Sequence, residues 1–174
     1  MRTAIHRAGI RTREVGIMEW HDDYSNLKEF RDAPMFTIVR NPYQWYASFW
    51  ADRSRNGWGG NLVVGHEPCI SDVFDEWVQL VCVHRPSFLA RHLYPRFDVE
   101  GVHVMRTETL VNDLVSHLSS LGEDFDPEVL RGTSFENCSP NLPRITEQQA
   151  LDIYNSEETV FAKYGYSFNS YRSK

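Results

Sequence analysis

The chain has 174 residues, of which 41% are hydrophobic and 13% aromatic, so it carries enough apolar side chains for a packed core. This composition excludes a disordered or fibrous chain. The net charge of −6 argues against general nucleic-acid binding, which needs a surplus of cations. No stretch approaches the roughly 20 apolar residues that cross a bilayer, and no secretory signal pattern opens the sequence, so we expect a cytoplasmic protein without membrane partners.

The cysteine and cation content indicates the redox compartment of the protein and the kind of ligand that it could bind. Cys69, Cys82 and Cys138 are too few for a disulfide framework, which fits a reducing compartment. Among the 18 cations only three are lysines, at positions 28, 163 and 174, and the others are arginines. Arginine captures phosphate or sulfate through two parallel hydrogen bonds, so local anion sites are compatible with the acidic composition.

Hydrophobic periodicity and capping residues predict alternating helices and strands in the first half of the chain. The apolar run MFTIV predicts a strand that is buried on both faces, and Asn41 and Pro42 predict the N-cap and first residue of the following helix. The predicted elements are a helix over 1–10, a strand near 14–18, a helix around 26–31, the strand 35–39, a helix over 42–53 and a glycine-rich, mobile loop over 53–61.

The second half continues the alternation. Ser71 is the predicted N-cap of a helix whose apolar stripe contains Phe74, Trp77, Val78, Val81 and Cys82. The further predicted elements are a helix over 87–93, a strand over 102–105, a helix from 109 that ends at Gly122, and a helix from 146 to 163 that opens with a Thr146/Gln149 capping box. Strands that alternate with helices predict a single α/β layered domain over 1–174 with a mainly parallel sheet.

Arg40 and Ser48 form the most informative motif of the sequence. In open parallel sheets, ligands bind beyond the carboxyl ends of the strands and near helix N-termini. Arg40 ends the strand 35–39, and Ser48 follows about two helical turns later. A phosphate lying beside this helix would meet both the guanidinium and the hydroxyl, whereas the alternative reading is a strand-ending arginine and a solvent-facing serine.

This segment, VRNPYxxxxS after an apolar strand, resembles the 3′-phosphate-binding motif of sulfotransferases that use 3′-phosphoadenosine 5′-phosphosulfate (PAPS). The segment from Arg106 to Gly122 is similar to the family's strand-then-helix segment, although Thr107 replaces the usual Tyr, and the aromatic ending after residue 146 also resembles the family. The resemblance implies a three-layer, P-loop-NTPase-like sulfotransferase fold, PAPS as co-substrate without a metal, and Arg40 and Ser48 as the residues that bind its 3′-phosphate.

The resemblance also implies a catalytic base before the strand 35–39. His21 occupies the region where many members of the family carry a catalytic histidine, and an unperturbed pKa near 6.5 suits proton removal at neutral pH. Glu19 is the alternative base, since some members use a carboxylate. The competing interpretation is that His21 is an exposed loop residue between solvated acids.

One feature of the family pattern is missing. No glycine- and serine- or threonine-rich loop that would bind the 5′-phosphosulfate occurs, and residues 1–10 resemble the helix that follows such a loop. The sequence therefore indicates either an N-terminally truncated sulfotransferase or a catalytically silent, sulfotransferase-like nucleotide-binding or scaffold module. A nucleotide kinase-like enzyme is a weaker alternative, because it too would need that loop.

Two other patterns are better explained by a structural role than by a functional one. His66, Cys69, Cys82 and His84 superficially resemble a zinc site, but Cys82 lies on an apolar helical stripe and His84 points elsewhere, so we expect no metal. Trp45 and Trp50 are expected in the core rather than in an acceptor pocket. The resemblance implies that variable loops bind the acceptor, which is a small molecule or a carbohydrate. A sheet that lacks its first strand exposes an edge, and pairing of this edge with a second copy of the chain would give a homo-oligomer.

Overall fold

The computed structural model of the protein describes residues 34–60, 62–96, 98–132 and 142–172. The elements predicted over 1–10, 14–18 and 26–31 lie outside these residues. The described strands and α-helices are β1 (Met35–Val39), α1 (Pro42–Asn56), α2 (Phe74–His84), β2 (Val102–Arg106), α3 (Leu110–Ser120), α4 (Pro127–Arg131) and α5 (Glu147–Tyr164). Short 3-10 turns occur at Val63–Gly65, Tyr94–Arg96, Thr107–Thr109 and Phe168–Arg172, and a π-helical turn occurs at Leu89–Leu93.

The chain is an α/β protein, as predicted, and β1 and β2 form a two-stranded parallel sheet within the described residues. In that part of the chain, no helix is both long and apolar enough to cross a membrane. The chain divides into two compact units. The first contains Met1–Val39 and Arg96–Cys138, and the second contains Arg40–Pro95 and Ser139–Lys174.

The first unit is built on the sheet. Met35 pairs with Val102 and Val39 with Arg106, so both strands end at the same edge. Helix α3 packs against β2 through Leu110, Leu114 and Leu118, and the core also contains Met105 and Leu130. Strand β1 has the predicted bounds, but Val39 alone among its residues is fully buried and the other four are half-buried. The expected full burial of this strand is therefore wrong for four of its five residues.

The segment between β2 and α3 is held by side chains. Asp113 accepts hydrogen bonds from the Arg106 N–H at 3.0 Å and the Thr109 hydroxyl at 2.7 Å, which ties the end of the strand to the first turn of α3. Helix α3 ends two residues before Gly122, whose φ of +72° continues the chain in the left-handed conformation. The predicted end at Gly122 is confirmed to within two residues.

The second unit is a helical assembly of α1, α2 and α5 with the π-helical turn packed against α5. Trp77 of α2 is fully buried among aromatic rings, with Tyr46 at 5.6 Å and Phe49 at 5.7 Å between ring centroids. The predicted apolar stripe of α2 is confirmed for its first four residues, whereas Cys82 is only half-buried. Burial of large aromatic rings favours folding of this unit, because each ring removes a large apolar area from water.

The helix starts confirm two of the three capping predictions. Asn41 caps α1 by accepting from the Tyr43 N–H at 3.0 Å, and Thr146 caps α5 in a full capping box. Ser71 is not the N-cap of α2, which begins at Phe74 after Val73. Its hydroxyl instead accepts from the Val73 N–H at 3.0 Å, so the serine stabilises the turn that precedes the helix rather than the helix itself.

The predicted helix over 87–93 is shorter and of a different type. Its first residue, Ser87, has a φ of +58°, outside the helical region. The residues that follow form the π-helical turn, whose first N–H groups have no partner within their own helical turn. A side chain from α5 supplies the acceptor for them.

That side chain is the carboxylate of Glu157, which is fully buried at a kink in α5, where its φ of −116° and ψ of 22° depart from helical values. It accepts hydrogen bonds from the N–H groups of Leu89 at 3.1 Å and Ala90 at 3.3 Å and from the hydroxyl of Tyr46 at 3.0 Å. Burial raises the pKa of Glu157 to about 7, although these donors favour the charged form.

The pKa of Glu157 predicts a specific dependence of stability on pH. Between the ordinary carboxyl pKa and about 7 the folded state binds more protons than the unfolded state, so the free energy of unfolding falls as the pH rises through this window. The fall attributable to Glu157 is on the order of 3 kcal/mol. Glu157→Gln cannot ionise, and we expect urea unfolding at a series of pH values to show a correspondingly flatter profile.

The matched control is Glu158→Gln, which removes an exposed carboxylate one residue further along α5. This variant is expected to keep the wild-type profile. Equal pH profiles for wild type and Glu157→Gln would show that the buried carboxyl does not titrate in this range.

Candidate functional site

Arg40 lies at the junction between β1 and α1. The residue before it, Val39, ends the strand, and the residue after it, Asn41, is the N-cap of the helix. Its backbone is fixed by Tyr94, whose hydroxyl accepts from the Arg40 N–H at 3.3 Å and donates to the Arg40 carbonyl at 2.8 Å. The predicted anion-binding residue therefore has a fixed backbone on a short junction.

The surroundings of the Arg40 side chain are the second feature of this residue. The side chain is half-buried, and within the described part of the chain its guanidinium donates no hydrogen bond and forms no ion pair. A guanidinium has five N–H donors in a planar fork, so a half-buried one without an internal acceptor suits a tetrahedral anion.

Ser48 lies on α1, roughly 10 Å along the helix axis from the N-cap. Seven residues separate it from Asn41, a spacing that places both on the same helical face. The neighbours of Ser48 at helical spacing are Gln44 and Asp52, and all three are half-buried. Its hydroxyl makes no hydrogen bond to any described residue. No described contact joins Ser48 to Arg40, so their convergence on one phosphate stays a prediction.

The N-terminus of α1 contributes little to anion binding through its backbone. Pro42 at the first position has no N–H, and the N–H of Tyr43 donates to the Asn41 side chain. The first intrahelical bond is already made by the Trp45 N–H to the Asn41 carbonyl at 2.9 Å. An anion beside this helix would depend on side chains, of which Arg40 and Ser48 are the suitable pair.

The carboxylate nearest along the Ser48 face does not oppose an anion strongly. Asp52 lies one turn beyond Ser48 and is paired with Arg53 at 2.7 Å, and it also accepts from Asn56 at 2.8 Å. A neighbouring cation offsets the repulsion that a free carboxylate would exert on a phosphate.

The N-cap of α1 is itself supported from the C-terminal end of the chain. The amide nitrogen of Asn41 donates to the hydroxyl of Ser170 at 2.8 Å, and Ser170 donates in turn to the Ser167 carbonyl at 2.6 Å. In the next residue, the Tyr171 ring packs edge-on against Tyr43 at 5.8 Å between centroids. The 3-10 turn Phe168–Arg172 thus holds the helix N-terminus that follows Arg40.

Thr107, the departure from the family pattern, has a structural partner in the first unit. Its hydroxyl donates to the Val39 carbonyl at 3.0 Å, across the ends of the two strands. The threonine therefore ties the residues after β2 to the last residue of β1. The sequence alone does not predict this contact.

The predicted start of the glycine-rich loop at residue 53 is wrong, because α1 continues to Asn56 and the loop begins at Gly57. Side chains anchor this loop. Arg53 donates to the Gly59 carbonyl at 3.3 Å, and the Trp58 indole donates to Asp72 at 2.9 Å. A side chain at Gly65 would lie 2.6 Å from the Gly59 carbonyl oxygen, so glycine is required at this close approach. Trp45 and Trp50 are half-buried rather than fully buried, and Trp50 donates to the Ser71 carbonyl at 3.1 Å.

The cysteine and histidine pattern does not form a site in the described residues, where no group of three His, Cys, Asp or Glu side chains could hold a metal ion. Cys69 is buried, and its thiol is 3.7 Å from the Leu80 carbonyl oxygen. Burial raises the pKa of the Cys82 thiol to about 12, which disfavours the thiolate that a metal would need.

Several residues that shape the site have no sequence signal. His21 and Glu19, the candidate bases, lie outside the described residues. Tyr94, Ser170 and Glu157 act on the site or its supports from segments distant in the chain, so periodicity and motif spacing do not reveal them.

Comparison of the chain with protein-family models, curated proteins and solved structures finds no match.

The double role of Asn41 predicts a measurable loss of stability on truncation. Asn41→Ala removes the acceptor for the Tyr43 N–H and the donor to Ser170, and we expect it to lower the free energy of unfolding by roughly 1 to 2 kcal/mol in urea titrations. Asn56→Ala, at the exposed end of the same helix, is the control and should cost far less. Equal losses for the two variants would contradict the capping role.

Proposed function

We propose that this chain is a sulfotransferase-type protein that binds PAPS and transfers its sulfuryl group to an acceptor hydroxyl or amine. The observation that carries the proposal is the guanidinium of Arg40 directly before the N-cap of α1, which has no partner among the residues that the structure describes, with Ser48 two turns along the N-cap face. In this proposal the two side chains hold the 3′-phosphate of the nucleotide.

The fold expected of such a protein is a three-layer α/β domain with a parallel sheet between helices. Its support is the parallel pairing of β1 with β2 and the presence of a helix directly after each strand, α1 after β1 and α3 after β2. Repeated strand-then-helix segments build sheets whose ligands bind at the carboxyl ends of the strands.

The reaction resembles phosphoryl transfer in its physical demands. The acceptor oxygen or nitrogen attacks the sulfur in line, the bond between sulfur and the 5′-phosphate oxygen breaks, and adenosine 3′,5′-bisphosphate leaves. The acceptor proton passes to His21, or to Glu19 if the carboxylate is the base. Binding energy from the remote 3′-phosphate would position the donor for this attack.

Binding of the product tests the assignment of Arg40. We expect adenosine 3′,5′-bisphosphate to raise the melting temperature of the wild type, and Arg40→Ala to abolish the shift. Loss of a charge-assisted, two-pronged contact should cost about 2 to 3 kcal/mol, which is roughly a 30- to 150-fold rise in Kd by titration calorimetry. Ser48→Ala should weaken binding by a smaller factor, because it removes one neutral donor.

The control for charge is Arg55→Ala, which removes an exposed cation in the last turn of the same helix. This variant should bind like the wild type. An equal melting shift in Arg40→Ala and wild type would remove the 3′-phosphate assignment.

The catalytic base is tested by turnover. With the missing glycine- and serine- or threonine-rich phosphate loop restored before residue 1, and with PAPS and a panel of hydroxyl and amine acceptors, we expect His21→Ala to release adenosine 3′,5′-bisphosphate about 100-fold more slowly than the parent chain, because no base removes the acceptor proton. The affinity for adenosine 3′,5′-bisphosphate should stay unchanged, which separates catalysis from binding.

The matched variant is Glu19→Gln. An unchanged rate in His21→Ala together with a large loss in Glu19→Gln would transfer the role to the carboxylate. Nucleotide binding without any transfer in the wild type would favour the silent, scaffold-like alternative.

A further inference from the structure

The hydroxyl of Tyr94 satisfies both backbone polar groups of Arg40. It accepts from the Arg40 N–H at 3.3 Å and donates to the Arg40 carbonyl at 2.8 Å, across 54 positions of sequence. A phenol has one proton to donate and lone pairs to accept with, so one hydroxyl makes both contacts at once. Tyr94 is buried, with 3% of its surface exposed.

Arg40 needs such a partner because it lies between two regular hydrogen-bonding patterns. The pairing of β1 with β2 ends at Val39, and the first intrahelical bond of α1 is accepted by the Asn41 carbonyl. The N–H and carbonyl of Arg40 belong to neither pattern, and unpaired buried backbone groups are costly. The Tyr94 hydroxyl therefore replaces secondary structure at this one residue.

Tyr94 is in turn held firmly. It directly follows the π-helical turn and donates its own N–H to the Leu89 carbonyl. The start of that turn is bound by the Glu157 carboxylate through the N–H groups of Leu89 and Ala90. Its ring packs edge-on against Tyr164 at 5.4 Å between centroids. The phenol reaches Arg40 from a turn that is anchored at both ends.

We propose that Tyr94 is a positioning residue for anion binding, which fixes the backbone of Arg40 so that its guanidinium is presented to the 3′-phosphate. This inference rests on the proposed function of Arg40. A fixed backbone leaves only the side-chain torsions to be ordered on binding, which lowers the entropic cost of capturing the phosphate. The role is specific to the 3′-phosphate, because the other parts of the nucleotide do not depend on Arg40.

Tyr94→Phe tests the role, because it keeps the ring and its packing and removes only the hydroxyl. We expect the Kd for adenosine 3′,5′-bisphosphate to rise roughly tenfold, while the Kd for adenosine 5′-monophosphate, which lacks the 3′-phosphate, stays unchanged. The Arg40 amide should also exchange its proton with solvent at least about tenfold faster by NMR, since it loses its acceptor.

The control is Tyr43→Phe, which removes another buried hydroxyl, one that donates to the Ala150 carbonyl at 3.3 Å. It is expected to leave the affinity ratio of the two nucleotides and the exchange of the Arg40 amide as in wild type.

Three outcomes would overturn the inference. These are an unchanged Kd for adenosine 3′,5′-bisphosphate in Tyr94→Phe, an equal weakening of both nucleotides, and an Arg40 amide that exchanges at the wild-type rate. If Arg40→Ala binds like the wild type, the proposed function fails instead. Faster exchange of the Arg40 amide in Tyr94→Phe would then reduce the contact to a purely structural one.

Discussion

The second unit depends on the buried carboxylate of Glu157. Three segments far apart in the chain meet at this group, because α5 supplies the carboxylate, α1 supplies the Tyr46 hydroxyl and the π-helical turn supplies the N–H groups of Leu89 and Ala90. An apolar residue of similar size would leave those N–H groups buried without an acceptor. Burial raises the pKa of this carboxyl, and the surrounding donors oppose that rise. The same carboxylate therefore costs desolvation energy and joins the three segments.

This interaction reaches the candidate site through the turn that it holds. The residue directly after this turn is Tyr94, whose hydroxyl binds both backbone groups of Arg40. Asn41, the residue after Arg40, is held by Ser170 from the C-terminal end of the chain. The start of α1 is thus fixed from two directions by residues that are distant in sequence. Preorganisation of this kind is what a binding site needs when a long, flexible arginine must meet a ligand in one geometry.

The parts of the fold that could be predicted from sequence are those with local signals. The run MFTIV marks β1, Asn41 with Pro42 marks the start of α1, and Thr146 with Gln149 marks the start of α5, because each signal acts within one turn or strand. The kink at Glu157 and the π-helical turn have no such signal. Glu157 lies in the polar run NSEET, which looks exposed in sequence, and its burial results from the packing of other segments.

Only part of the candidate site could likewise be predicted from local sequence signals. Spacing alone could predict that Ser48 lies about two helical turns after Arg40, but it could not predict how many backbone N–H groups at the start of α1 stay available. Pro42 lacks an N–H and Asn41 occupies that of Tyr43, so the helix offers an anion little of the usual backbone donation. An anion bound here would therefore depend mainly on the guanidinium of Arg40. A planar fork of donors recognises a phosphate by geometry as well as by charge, and a lysine at position 40 would supply the charge without the fork. If the proposed function holds, selectivity at this junction comes from the orientation of one side chain, and the two hydrogen bonds that fix its backbone contribute to recognition.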